Sequence, residues 1–137
     1  MLKHTSEIRV RYADTDQMHY VYNGKYLEYF EVGRAEMMRH YGLAYKIIEA
    51  KGYLLPLLEA FVKYKNPAYY DDILLVEAKV NELPKLKIQI DYSIKRKATE
   101  EIVAEGFTKH VFLNLTSNKV VRPPGFFQDA LKSFFDN

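Results

Sequence analysis

Two carboxylates two residues apart, Asp14 and Asp16, stand between a stretch that alternates like a strand and one that repeats like a helix. Ile8 and Val10 alternate with Arg9 and Arg11, a period of two that stops at Tyr12 because Asp14, Thr15, Asp16 and Gln17 are turn and cap formers. From Asn23 the period becomes 3.6, and Tyr26, Tyr29, Phe30, Gly33, Met37 and Tyr41 share one face. Asn23 reads as the N-cap and Gly24 leaves room above the first turn. Unpaired N–H groups there sit at a helix end carrying roughly half a positive charge. A carboxylate beside such an end suits acyl transfer: each N–H would stabilise a tetrahedral oxyanion by ~3 kcal/mol, while the carboxylate activates water or attacks directly. The pattern leaves this role open to either aspartate, and an acidic pair in a turn also serves simply to hold the turn.

Rival chemistries lack their central residue. There is no G-x-S-x-G, no Gly-rich phosphate loop and no Cys, which removes serine-hydrolase, P-loop and thiol mechanisms. His4, His19, His40 and His110 fall without metal-ligand spacing, and Met18 stands where a calcium loop would place a third oxygen, so no metal is expected. No cofactor is expected either. A formal charge of +2 with one short basic run, Lys95-Arg96-Lys97, argues against nucleic acid. The longest aliphatic run, residues 73–76, is far below the ~20 residues that span a bilayer, and residues 1–7 lack the apolar core of a signal peptide. Together with the absence of Cys, this makes a cytoplasmic protein without a membrane segment the expectation.

The elements that must position the acidic turn follow from the same periods. The helix over residues 23–41 ends at Gly42, with Arg39 and His40 complementing the negative end of its dipole. Gly33 on its apolar face lets it press close against another backbone. Glu31 and Arg34, three residues apart, suit a surface pair or a subunit contact. A shorter helical pattern covers 43–50. Strand patterns follow over 57–64, 73–80, 86–94 and 101–115, the last long enough to bend at Gly106, with hairpin turns at 81–85 and 97–100. Phe126, Phe127, Ala130, Leu131, Phe134 and Phe135 give a short terminal amphipathic helix. A long early helix followed by an antiparallel meander is α+β, and 137 residues suit one domain, 1–137, able to bury ~70% of its unfolded surface. The patterns alone also suit other single-sheet α+β folds.

The segment Y-A-D-T-D-Q-M-H-Y-V-Y-N-G-K-Y-L-E-Y-F-E-V-G-R-A-E resembles the signature of the 4-hydroxybenzoyl-CoA thioesterase branch of the hot-dog-fold acyl-CoA thioesterases, which reads D-x-D, a small or Gly-containing segment, V-Y, N-Y and F-E-x-x-R. Tyr64-x-x-Pro67-Ala68-x-Tyr70-Asp71-Asp72 and Val103-Ala104-Glu105-Gly106-x-Thr108-x-His110-Val111 resemble later parts of the family. Two positions depart from it: His19 stands where Gly is common, and Lys25 where Asn is common. The resemblance implies a hot-dog fold, a long central helix wrapped by a five-stranded antiparallel sheet. It implies hydrolysis of an acyl-CoA to free acid and CoA, with Asp16 as general base or nucleophile, the N–H groups at Asn23 and Gly24 as oxyanion site, and Asp14 holding the turn. His19, Tyr20, Tyr22 and Tyr26 become candidates for the acyl pocket or a subunit contact, and Lys65, Arg96, Lys97, Lys119 and Arg122 for the CoA phosphates. An acyl carrier protein in place of CoA, or a module that binds acyl thioesters without cleaving them, fits the same residues. A homodimer, or a homotetramer, with one continuous sheet is implied as well, its site combining Asp16 of one chain with residues 64–70 of the other.

Overall fold

The computed structural model describes residues 1–135. Strand β1 (Leu2–Arg9) leads through a 3-10 turn (Tyr12–Asp14) into the long helix α1 (Lys25–His40) and the short α2 (Tyr45–Ala50). Strands β2 (Tyr53–Leu54), β3 (Leu57–Tyr64), β4 (Ile73–Val80), β5 (Ile88–Arg96), β6 (Ile102–His110), β7 (Phe112–Asn114) and β8 (Lys119–Val121) follow, then α3 (Gly125–Leu131) and a closing 3-10 turn (Lys132–Phe134). One sheet has the order β1-β4-β5-β6-β3, all neighbours antiparallel, and β2-β7-β8 form a small second sheet. This is the expected α+β arrangement, a central helix packed on a five-stranded antiparallel sheet with a short C-terminal helix.

Alternation decides which face of the sheet takes the helix. Leu74, Val76, Ala78 and Val80 of β4 are buried, as are Ile88, Ile90, Tyr92 and Ile94 of β5. Onto them α1 lays Tyr26, Tyr29, Phe30, Gly33 and Met37, the face that its period marks. Phe30 is fully buried and stacks on Tyr92 with ring centroids 4.2 Å apart. Burial of such a ring contributes about 1.5–3 kcal/mol. The close approach at Gly33 is to side chains rather than backbone: a Cβ there would stand 2.7 Å from Cγ1 of Val76.

Several boundaries differ from expectation. The first strand runs from Leu2, not from Ile8, because His4 and Ser6 on its inward face are polar and hide the alternation. Helix α1 starts at Lys25, with Gly24 rather than Asn23 at the N-cap and no side-chain cap, and it ends at His40, with Tyr41 as C-cap. Gly42 follows at φ 79, the left-handed geometry that suits glycine. Residues 101–115 make two strands instead of one bent at Gly106. The chain breaks at Val111, and Gly106 sits unbulged between β3 and β5, where a Cβ would lie 2.0 Å from the carbonyl oxygen of Phe61.

Beneath the middle of α1 runs a buried chain of polar groups whose polarity is set at one end. Leu55 C=O can only accept, so the neutral His110 ring, 3.3 Å away, donates from Nδ1 and accepts at Nε2 from the Thr108 hydroxyl at 3.0 Å. Thr108 then accepts from the Tyr92 hydroxyl at 2.7 Å, and Tyr92 accepts from Arg34 Nη1 at 3.1 Å. Burial, and after it the charge on Arg34, pulls the His110 pKa down to about 4. Arg34 therefore does not make the surface pair with Glu31 that its spacing suggested; its partners are Tyr92 and Tyr45, whose hydroxyl accepts from Nε at 2.6 Å.

Candidate active site

After β1, Val10 is pinned to the turn before β4, its N–H donating to Asp72 C=O at 2.8 Å and its own C=O accepting from Asp71 N–H at 2.9 Å. The chain then turns through Asp14, which is 2% exposed. One Asp14 oxygen accepts from Arg11 N–H at 3.1 Å and from the Tyr29 hydroxyl at 2.8 Å, and the other from Arg11 Nη2 at 3.0 Å. Burial pushes this carboxyl up, but the Arg11 N–H, the Tyr29 hydroxyl and the Arg11 guanidinium together hold it below the usual carboxylate value. In return, burial and the bond to Asp14 drive the Tyr29 hydroxyl well above its ordinary pKa. Buried and held in this way, Asp14 is closed to a substrate and fastens the turn to α1.

Asp16 is placed differently. A bridge between Thr15 and Val21 closes a five-residue loop in which Asp16 N–H donates to Tyr20 C=O at 3.2 Å and His19 N–H donates to Asp16 C=O at 2.9 Å. His19 closes that loop at φ 66, left-handed backbone that a glycine adopts without strain. The half-buried Asp16 carboxylate accepts from Met18 N–H through Oδ1 at 2.8 Å, and Oδ2 has no protein partner among the described residues. It lines a cleft of about 410 Å³ together with Met18, Tyr20, Asn23, Tyr26, Tyr64 and Lys65. On its other side lies an open hollow shared with Tyr12, His19 and Tyr70.

Asn23 belongs to this cleft, and neither its N–H nor that of Gly24 has a hydrogen-bond partner among the described residues. The room above Gly24 is taken by Tyr22, which stands outside the cleft: a Cβ on Gly24 would meet that ring at 2.7 Å. Tyr26 is buried in the cleft wall, and burial pushes its hydroxyl up to about 12. The opposite wall comes from the same chain, since Tyr64, Lys65, Asn66 and Pro67 line the cleft beside Asp16. Tyr64 donates its hydroxyl to Asn23 C=O at 3.0 Å, its ring packs edge-on against Tyr26, and Val21 N–H donates to Ala68 C=O at 2.9 Å. Residues 64–67 thus wall the cleft of their own chain, where the expectation took this segment from a second subunit.

The cations fare unequally. Lys65 lies on the cleft wall, 3.4 Å from Glu105. Arg96 is committed to Asp72 at 3.1 Å, Glu101 at 2.9 Å and the Pro67 carbonyl at 2.7 Å, so it braces the wall. Lys97 pairs with Glu7, and neither it, Lys119 nor Arg122 lines the cleft. Sequence reasoning missed the Met18 N–H that fixes Asp16 and the Tyr29 hydroxyl that anchors Asp14. The second had a signal, because Tyr29 is a polar-tipped residue on the apolar face of the helix.

Residues 10–131 match the family described as the Thioesterase-like superfamily. The chain belongs to that family. The protein YneP of Bacillus subtilis is 33% identical over 116 residues, covering 85% of this chain and 83% of YneP. A 1,4-dihydroxy-2-naphthoyl-CoA thioesterase from Synechocystis superposes with a TM-score of 0.86 at 27% identity, covering 95% of this chain and 96% of that one. A DHNA-CoA thioesterase from Staphylococcus aureus gives a TM-score of 0.88 at 28% identity, covering 98% of this chain and 89% of that one. The fold is the hot-dog thioesterase fold, and the chain is an enzyme that hydrolyses thioesters.

Proposed function

We propose that the chain, acting as a single domain in the cytoplasm, cleaves acyl-CoA in the cleft beside Asp16. One observation carries this reading: a carboxylate with one oxygen held by Met18 N–H and the other free lines the same cleft as Asn23, whose N–H, like that of the adjoining Gly24 just before α1, has no partner among the described residues. The thioester carbonyl oxygen points at Asn23 and Gly24 N–H. Asp16 takes a proton from a water as the water attacks the carbonyl carbon, and the charge that builds on the oxygen is stabilised by those donors. The C–S bond then breaks, the thiolate of CoA takes up the proton, and the free acid is released. Direct attack by Asp16 would give an anhydride that water then opens. Tyr20, Tyr26 and Met18 offer the acyl group an apolar and aromatic wall, and Lys65 is the cleft cation placed to meet a phosphate.

Purified protein is expected to hydrolyse at least one of a panel of short, long and aromatic acyl-CoAs, and Asp16→Asn to lower kcat by at least ~100-fold with an unchanged melting temperature. Unaltered turnover in that variant would defeat the assignment. Binding of acyl-CoA without turnover by the wild type would favour a non-catalytic module.

The same reading includes a homodimer. Strand β3 is a sheet edge, with Leu57, Leu58, Phe61 and Tyr64 each about half exposed on one or other of its faces, and pairing with a second β3 would cover that edge. Light scattering on dilution is expected to give dimer or tetramer mass, with activity falling as the mass falls. A fully active monomer at nanomolar concentration would refute the need for pairing.

A further inference from the structure

A second cavity, of about 300 Å³, opens between α2 and the β2–β3 connection, away from Asp16. Its walls are largely apolar, with Ile48, Leu54, Leu55, Pro56 and Leu113, and one cation, Arg34, faces into it beside the Tyr45 ring. Two of the five guanidinium N–H groups are used, one by Tyr45 and one by Tyr92. The other three have no partner among the described residues, and Arg34 pairs with no carboxylate among them; Glu49, on the rim, is exposed. Both tyrosines are neutral at physiological pH, since burial pushes Tyr45 up to about 12 and raises Tyr92. A guanidinium largely withdrawn from water and met only by neutral hydroxyls is incompletely compensated, and a planar, two-oxygen anion matches its free edge.

We infer that the Arg34 cavity is a second binding site, taking the carboxylate of a small organic acid against the guanidinium and its apolar body against Leu54, Leu55, Pro56 and Leu113. The volume suits a medium-chain or single-ring acid. Free acids of this kind include the products of thioester hydrolysis, but the site stands on its own geometry and does not depend on the assignment of Asp16.

The test is calorimetric titration of the full chain with hexanoate and benzoate, with hexanamide, benzamide and inorganic phosphate as probes that lack the charge or the apolar body. The acids are expected to bind at least about tenfold more tightly than the amides and than phosphate, and to do so equally well in Asp16→Asn, which separates this cavity from the cleft. Arg34→Gln is expected to lose at least about tenfold in affinity. Because that variant removes a buried group, Leu54→Trp gives the independent reading: it fills the cavity mouth, leaves every hydrogen bond of Arg34 in place, and is expected to weaken the acids to the same degree. Amides or phosphate binding as well as the acids, acids that do not bind, a Leu54→Trp protein that binds like wild type, or binding lost in Asp16→Asn would each overturn the proposal.

Discussion

Lowering the pH from 7 to 4 should destabilise this protein in a window set by His110. The ring is 3% exposed and sits near pKa 4, against 6.5 in an unfolded chain. Between those values the unfolded chain holds the proton and the folded one does not, so stability is complete above about pH 6.5, falls as pH drops, and levels off below about 4. At ~1.4 kcal/mol per tenfold the full fall is about 3 kcal/mol. The cause is visible in the hydrogen bonds: Nδ1 already donates to Leu55, so a second proton on Nε2 would face Thr108, which already accepts from Tyr92, beside the charge of Arg34. Asp14 titrates in a separate window, because its folded pKa lies below 3.8 and its contribution is lost only under about pH 4. Urea unfolding at pH 7 and 4.5 measures the slope, with His110→Gln as the non-titrating reference, and most of the 3 kcal/mol should vanish from the difference between the pH values in that variant. Equal slopes for wild type and His110→Gln, or a His110 imidazole that titrates near 6.5 by NMR, would refute the reasoning.

Asp14→Asn should cost about 2–3 kcal/mol in urea unfolding, because charge-assisted bonds to Tyr29 and Arg11 are weakened in a buried site, and its residual folded fraction should still turn over substrate. Gly33→Ala should destabilise by roughly 1 kcal/mol in thermal melts, overpacking against Val76 outweighing the gain in helix propensity, and Val76→Ala should relieve the clash in the double variant.

Helix α1 and strands β4 and β5 were legible because each repeats its period over eight or more residues, long enough to separate a buried face from a wetter one, whereas β3 has no buried face and shows no such alternation. The second sheet was not: β2 has two residues and β7 and β8 three each, too few to show any period. At the site, the acidic turn and the helix start could be read, since turn formers and an onset of 3.6 periodicity are local signals. Which aspartate faces the cleft could not be read from the turn itself. That choice is made by Tyr29, which lies 15 residues from Asp14 in sequence and touches it only once α1 folds back. That the same chain supplies residues 64–67 to the cleft went unread for a similar reason. Residues 64–67 reach Asp16 through the Tyr64 bond to Asn23, 41 residues away, and no pattern along the chain announces it. Arg96 looked available as one of a basic run, whereas the turns around it place two carboxylates on its guanidinium.

The Tyr64 bond ties two levels of the molecule together. Asn23 C=O and Gly24 N–H are opposite ends of one flat trans amide, so a hydroxyl that grips the oxygen also sets the heading of the hydrogen. That hydroxyl belongs to the last residue of the sheet's outermost strand. A twist or slip of β3 by a fraction of a residue would therefore swing the Gly24 donor about the amide axis through Tyr64, with Asp16 untouched. On the proposed mechanism the outer strand is a tuning peg for the Gly24 donor, and whatever clamps that strand sets its pitch.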